Sequence, residues 1–517
     1  MDNKRPSNSY LLAITLLTVF SIILRFRELD DQSMWVDELA TLNSAMMPEW
    51  IDAMGTGQSM FGFAGWLMWH ILSIIGHSDF AARSIGAAAG AALIPLLSEA
   101  GRRTSGPMTG LIAGAFGAAN HLMVYYSQEF RPYMLGSLIL WMGILLALHA
   151  ERKRPKVTIA AIACLAFAFT LHYLAGLAVV LALLSNYVIQ TIQEYSENKP
   201  VKTMALRIRR HILSPSGQAL MIGVSIATLA LLATETMISD SSSDMHSQSI
   251  KETPDDVHLV LMEEYFAFAD GIDVGGFELS NVLWSLAVGF PLLAIIRANL
   301  EQTSWIERPA EWVYYAIALG SFGTVVFYSA NVRPLFLIRY MLFAMPAFIL
   351  IISISIRHVL AILSALNPTL KATESRVMAG IVVILLTASS HHLVVTEDYY
   401  DTINKSDFKN MAIELDDMNL GEEAYIISGP STYSWNLYLS RMGSDERVNA
   451  GAWGNVPSWA KSNIQNSNYT TIVYVLGHSP DSFRDDVFID DLEAMNYTIQ
   501  ETKSFYKGEI MIYQRGS

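Results

Sequence analysis

Cysteine is nearly absent: Cys164 is the single one in 517 residues. It lies inside an apolar run, so a disulfide within the chain and a cysteine-built metal centre are both excluded. Charge is scarce as well. Charged residues make up 16% of the chain and hydrophobic ones 52%, where a soluble chain would carry ~25% charged. What charge there is leans acidic, with a net of −14, and residues 396–517 hold 19 acidic against nine basic side chains. That segment has no basic stripe, which excludes nucleic acid as its partner. No internal repeat is evident, which weighs against a transporter made of two inverted halves. Nor does a small-residue cleavage site follow the first apolar run. The run passes straight into "RFRELDDQSMW", so an uncleaved first span is expected.

Long apolar runs, by contrast, are plentiful. Stretches of about 17 to 20 residues recur to about residue 395, each able to cross a hydrocarbon core of ~30 Å. The candidate spans are 10–26, 80–98, 107–125, 133–149, 157–172, 174–190, 217–236, 279–297, 311–329, 335–355 and 377–395. The unbroken run 157–190 is divided at "LHYLAG" (171–176). A further stretch, 59–75 ("SMFGFAGWLMWHILSII"), is also long enough to cross, and its path sets every later orientation. Short loops rich in Lys and Arg stay cytoplasmic; here these are "GRRTSG" (101–106), "ERKRPK" (151–156) and "KTMALRIRR" (202–210). With Lys4 and Arg5 inside, all three fall inside only if 59–75 lies flat in the outer interface. Trp66, Trp69 and His70 suit that level.

The expectation is therefore a polytopic α-helical membrane protein with about eleven spans plus interfacial helices. Residues 1–395 would form the transmembrane domain, with exterior loops at 27–79, 126–132 and 237–278. The last of these loops carries ten acids and one lysine, Lys251. From 396 to 517 the pattern changes to an exterior soluble α/β domain. "EEAYIIS" (422–428), "TTIVYVLG" (470–477) and "GEIMIYQR" (508–515) read as short buried strands, and "SDFKNMAIELDDM" (406–418) as an amphipathic helix capped by Ser406.

This topology gathers polar groups at the outer face. Asp37 and Glu38 follow Trp35 just past the first span. "YYSQEFRPY" (125–133) contributes Glu129 and Arg131, His172 ends the fifth span, and "NVRPLFLIRYMLF" (331–343) carries Arg339 and Tyr340 into the tenth. Arg339 stands about five residues into its run, roughly 7 Å deep at ~1.5 Å per residue, where a guanidinium needs a partner, a cavity or a route to the interface. Each feature alone has a plainer explanation. The adjacent acids could start a solvated loop, Glu129 and Arg131 could pair locally to hold a turn, Arg339 could snorkel, and His172 could be a satisfied core residue. Together they suit a distinct chemistry: a carboxylate takes the proton of an attacking hydroxyl while an arginine holds a departing phosphate.

These residues also carry a resemblance. "LRFRELDDQSMWVDELAT", "FAARSIGAAAGAALIPLL…GRRTSG", "YYSQEFRPYML" and "LIRYMLFAMPA", in that order over roughly residues 10–400, resemble the multi-span glycosyltransferases of the GT-C fold. The branch they resemble most is the bacterial relatives of protein O-mannosyltransferases and of the aminoarabinose transferase. The resemblance implies an inverting displacement at the outer face of a bacterial inner membrane, with a polyprenyl-phosphate-linked sugar as donor. The acceptor it implies is a hydroxyl of a glycolipid, polysaccharide or protein. It further implies Asp37 as the catalytic general base. Glu38, Glu129, Trp35 and His172 would bind the acceptor or shape the site. Arg339, Arg131 and Tyr340 would bind the donor phosphate. Asp37, Glu129 and His172 could also hold a divalent cation such as Mg, Mn or Zn, although no spacing demands one. One departure is clear: relatives open the interfacial helix with His-Pro-Pro, and here the stretch reads "GQSMFGFAGWLMWH". Two other readings use the same membrane: a flippase for lipid-linked saccharides, and a ligase or polymerase drawing on a lipid-diphosphate donor.

Overall fold

The computed structural model describes residues 6–48, 62–148, 155–171, 173–196, 279–331, 338–403, 405–429, 432–451, 455–477 and 484–516. The expected span 217–236, the exterior loop 237–278 and His172 lie outside the described residues. Contacts divide the chain into two compact units. One comprises Met1–Arg27, Ile85–Gln128 and Pro132–Asp398, and the other Glu28–Ser84, Glu129–Arg131 and Tyr399–Ser517.

The first unit is helical. Among the described residues, five helices are long and apolar enough to cross a membrane: Asn8–Phe26, Asp79–Ser105, Pro309–Phe327, Met345–Leu366 and Thr369–Thr396. Shorter apolar helices, Pro107–Ala119, Tyr133–Leu148, Lys156–Ala168 and Ala175–Asn186, lie beside them in the sequence. Small residues set the packing. A Cβ on Gly110 would stand 2.3 Å from the Ser98 carbonyl oxygen, so only glycine lets the helices Asp79–Ser105 and Pro107–Ala119 approach this closely. The core is filled by Phe116, Trp141, Tyr314, Ile349 and Phe348.

Three expected spans differ from the structure, each for a local reason. Residues 279–297 do not form one straight helix; Asn281–Val288 and Phe290–Glu301 meet at 60°. Gly289 is the joint, and Pro291, in the first turn of the second helix, has no N–H to continue the first. Residues 107–125 break at Asn120, whose side chain accepts from the Met123 N–H at 3.0 Å and starts a new helix, His121–Ser127. The span read as 335–355 becomes helical only at Met345, with Pro346 in its first turn. Ahead of it, Ile338–Phe343 is a 3₁₀ turn.

The second unit holds the C-terminal sheet, ordered β2-β1-β3-β5-β4. Its strands are β1 Ala424–Gly429, β2 Val448–Gly451, β3 Thr471–Gly477, β4 Tyr497–Phe505 and β5 Gly508–Arg515. β1 runs parallel to β2 and β3, while β5 pairs antiparallel with both β3 and β4. The three strands read from the sequence are β1, β3 and β5, which bury Ile427, Tyr474 and Met511. β2 and β4 were not legible: one is four residues long, and the other is mostly exposed. The helix expected at 406–418 runs Phe408–Asp417, and its cap is Asp407 rather than Ser406, with the Asp407 carboxylate accepting from the Asn410 N–H.

Candidate active site

The stretch "WVDELAT" starts a helix, Val36–Ala45, and not a solvated loop. Trp35 is its N-cap, and Glu38, three residues on, reaches back to accept from the Trp35 N–H at 3.4 Å. Successive residues of a helix point about 100° apart. Asp37 and Glu38 therefore face different surroundings despite being neighbours. Glu38 is fully buried, and Asp37 is 30% exposed.

Glu38 sits in a charge lock. Arg83 donates to both of its carboxylate oxygens at 2.9 Å, Lys405 approaches at 3.1 Å, and the Phe130 N–H donates at 2.7 Å. Arg83 spends its remaining donors on the carbonyls of Leu29, Gln32 and Ser33, which fixes the peptide leading into the helix. Burial alone would raise the Glu38 carboxyl, but the Arg83 and Lys405 cations and the donated hydrogen bonds outweigh it and hold it at about 2. Burial and the Arg83 charge together push the Lys405 ammonium down, against the opposing pull of Glu38 and Glu129. Two cations and the carboxylates of Glu38 and Glu129 thus share one dry site. Its charges balance only when all four are present.

Asp37 meets a different partner. Arg131 Nη2 lies 3.8 Å from its carboxylate, and Arg131 Nη1 donates to the Asp37 carbonyl at 3.0 Å and to the Thr41 hydroxyl at 2.7 Å. Between Glu129 and Arg131 a backbone hydrogen bond runs from the Arg131 N–H to the Glu129 carbonyl at 2.9 Å. Arg131 steadies the helix that bears Asp37, and Glu129 is buried.

The chain just before Glu129 is anchored by a buried arginine. Arg25 donates to the carbonyls of Gly117 and Ala118 at 3.0 and 2.7 Å, the groups that the helix break at Asn120 leaves open, and to the Ser127 hydroxyl at 3.1 Å. Gln128 donates in turn to the carbonyls of Arg25 and Arg27. Gly90 makes room for this: a Cβ there would stand 2.1 Å from the Ser127 hydroxyl and 2.8 Å from Arg25 Nε.

C-terminal residues hold the peptide that leads into this helix, and Asp79. The Tyr438 hydroxyl accepts from the Met34 N–H at 2.9 Å and donates to Asp79 at 3.0 Å, and Arg441 holds the other Asp79 oxygen at 2.5 Å. Lys409 ties in through its N–H to the Ser33 hydroxyl. The helix Gly62–Ile75 belongs to the same unit, its Trp69 indole donating to the Met47 carbonyl at 2.8 Å. Within this unit the structure brings together Trp35, Asp37, Glu38, Glu129 and Arg131.

Arg339 and Tyr340 belong to the other unit. Arg339 is not inside a spanning helix, as its depth in the apolar run suggested, but half-buried on the 3₁₀ turn Ile338–Phe343. The turn is held from the helix Tyr133–Leu148, where Trp141 donates to the Phe343 carbonyl at 3.0 Å. Only the backbone of Tyr340 is described, and His172 is outside the described residues. The trio Asp37, Glu129 and His172 is therefore not seen as a set. Sequence reasoning missed Arg83 and Lys405. Arg83 carried a legible signal, a lone arginine entering an apolar helix, the same signal that singled out Arg339. Lys405 carried none, because a lysine in an acidic polar stretch looks solvated.

Comparison with known proteins bears on the fold. A family model described as dolichyl-phosphate-mannose-protein mannosyltransferase matches residues 63–215. No curated protein matches the chain. Among solved structures, ArnT from Cupriavidus metallidurans in the apo state is 12% identical with a TM-score of 0.57, covering 98% of both chains. The same protein bound to undecaprenyl phosphate is 12% identical with a TM-score of 0.58 over the same coverage. The archaeal oligosaccharyltransferase AglB from Archaeoglobus fulgidus, in complex with an inhibitory peptide and a dolichol-phosphate, is 11% identical with a TM-score of 0.51, covering 90% of this chain and 69% of its own. The chain has the GT-C fold of these proteins: a multi-helix membrane body with a small C-terminal sheet domain.

Proposed function

We infer that this chain is a membrane glycosyltransferase that moves a sugar from a polyprenyl-phosphate carrier to a hydroxyl acceptor. The observation that carries the reading is the division of labour at Asp37 and Glu38. One carboxylate is reachable and steadied by an arginine, and its neighbour is sealed into the scaffold beneath it. The GT-C fold and the mannosyltransferase family match over 63–215 support the reading. The chain would be a multi-pass protein of a bacterial inner membrane, with Asp37 and the C-terminal residues on the outer side, as the basic loops between the spans imply.

The acceptor hydroxyl attacks the anomeric carbon from the face opposite the phosphate. Asp37 takes the hydroxyl proton, the carbon–oxygen bond to the phosphate breaks, and the carrier leaves as polyprenyl phosphate with inversion at the sugar. General-base help of this kind is worth about 10²–10⁴-fold in rate. Glu38 is too deeply buried to touch an acceptor in this conformation, so its part is to fix the helix that presents Asp37. Glu129 and Trp35 shape the same surroundings, and His172 is assigned with them. Arg339, with Tyr340 beside it, is assigned to the donor phosphate, which a guanidinium meets with two parallel hydrogen bonds. Arg131 is a second candidate and would have to leave Asp37 to serve. Asp37 and Glu129 could hold a divalent cation, and no step above uses one. The acceptor is a glycan, glycolipid or protein.

The test is to reconstitute the protein in liposomes with a panel of sugar-labelled polyprenyl phosphates and to measure release of carrier phosphate and labelled product. Release from one donor, with an inverted product and a donor KM raised by Arg339→Ala, supports the reading. Movement of intact donor between leaflets without any release replaces it with a transporter, and release from diphosphate donors alone replaces it with a ligase.

A further inference from the structure

We propose that His121, His392 and Glu397 form a zinc site, separate from the groups assigned to the transfer reaction. Among the described residues this is a set of three His, Cys, Asp or Glu side chains whose ligand atoms all lie within 4.8 Å of one another. His392 Nε2 and the Glu397 carboxylate are already 3.2 Å apart. Donors about 3.3 Å apart are what a tetrahedral zinc with bonds of ~2.0 Å requires. The two imidazoles lie with ring centroids 5.9 Å apart and planes 64° from parallel. The widest pair, within 4.8 Å, has to close by no more than about 1.5 Å to reach that spacing. His392 is fully buried and Glu397 is 36% exposed, so the site is dry on one side and open on the other.

The backbone is shaped to assemble these residues. In an α-helix, residues five apart point about 140° away from each other, and His392 and Glu397 would diverge. Here the last apolar helix ends in a π turn, His392–Thr396, closed by the Glu397 N–H donating to the His392 carbonyl at 2.9 Å. The wider turn swings both side chains to one side, and such turns recur at functional sites. His121 arrives by another irregularity, as the first residue of the helix that Asn120 caps after the break at the end of Pro107–Ala119. Two separate departures from regular helix thus converge on one point.

The donor set is two imidazole nitrogens and one carboxylate oxygen. That combination suits a borderline cation such as zinc and is poor for magnesium or calcium, which take oxygen ligands. Three protein ligands leave the fourth position to water. The metal would clamp the helix His121–Ser127, which leads directly into Gln128 and Glu129, to the end of the last apolar helix. It would thereby fix the start of the loop that carries Glu129 and Arg131.

The experiment uses the full-length protein in detergent, stripped with a chelator, then equilibrated with Zn²⁺ alone and freed of excess metal. Zinc per chain is read by elemental analysis, and Co²⁺ is substituted to read its visible bands. The expected result is one zinc per chain in the wild type and in Asp37→Asn, with tetrahedral cobalt bands. Glu397→Gln, which keeps the size of the side chain, and His392→Ala should each lower zinc affinity by at least tenfold. Melting temperature should rise with zinc in the wild type and not in these variants. A wild type that takes up no zinc at micromolar free metal overturns the proposal, as does uptake unchanged in both variants. The readouts need no transfer activity, so the proposal stands or falls independently of the proposed reaction.

Discussion

Glu38→Gln is the most informative change to the scaffold, because it keeps the volume and removes only the charge. It leaves Arg83 and Lys405, 2% and 5% exposed, without the carboxylate that both of them contact. Removing one partner of a buried ion pair costs about 3–5 kcal/mol, mostly through the charge left behind. Lys405→Met should cost less, because the bidentate pair of Arg83 and Glu38 survives it. The informative variant is the double one. With Glu38 already neutral, Lys405→Met removes a stranded cation, so Glu38→Gln/Lys405→Met should be more stable than Glu38→Gln alone, a coupling of about 1–3 kcal/mol. The assay is thermal unfolding of the purified protein in detergent, followed by the fraction remaining monodisperse. At about 2–4 °C per kcal/mol, Glu38→Gln should lower the midpoint by roughly 6–20 °C, and the second substitution should recover part of it. A Glu38→Gln midpoint within about 2 °C of wild type refutes the charge-lock account. Strictly additive losses in the double variant refute it too.

Further expectations follow from the same geometry. The Glu38 carboxyl is held at about 2 in the folded chain against an ordinary value of 4.5. Its contribution is therefore complete above pH 4.5 and lost as pH falls toward 2, so the midpoint gap between wild type and Glu38→Gln should narrow from pH 5 downward. Tyr438→Phe strands the buried Met34 N–H and takes a donor from Asp79, at a cost of about 1–3 kcal/mol. That loss should appear as faster proteolysis of residues 28–84 with the helices of the first unit unaffected. Gly90→Ala places a methyl against Ser127 and Arg25 and should destabilise by about 1–3 kcal/mol, measurable as a lower yield of monodisperse protein. Gly90→Ser should be worse, and an alanine variant equal to wild type would remove Gly90 from the account.

Much of the architecture was legible because a bilayer imposes its own length scale. The first span was read as 10–26 and observed as Asn8–Phe26. The run 157–190 is helical over Pro155–Leu171 and Tyr173–Ser196, and residue 172, inside the stretch where a division is expected, lies outside the described residues. The apolar count cannot see where a helix bends or unwinds. It therefore ran through Asn120, Gly289 and the 3₁₀ turn that carries Arg339. Asp37 could be singled out because two acids at the end of a hydrophobic run are conspicuous. What separates Asp37 from Glu38 was not legible: Arg83, Phe130 and Lys405 come from three distant parts of the chain, and only folding shows which acid they claim. For the same reason the short strand β2 and the exposed strand β4, which have too few apolar residues to mark them, appear only beside their buried neighbours.

The central claim is that Asp37 is the base and Glu38 its support. The measurement that tests it most directly is the turnover of labelled donor by Asp37→Asn, compared with wild type and Lys405→Met in the same liposomes. The account predicts a loss of about 10²–10⁴-fold for Asp37→Asn at an unchanged melting temperature, with Lys405→Met losing stability first and rate second. Asp37→Asn turning over within a few-fold of wild type would contradict it. Loss of rate only in proportion to loss of folded protein would contradict it equally.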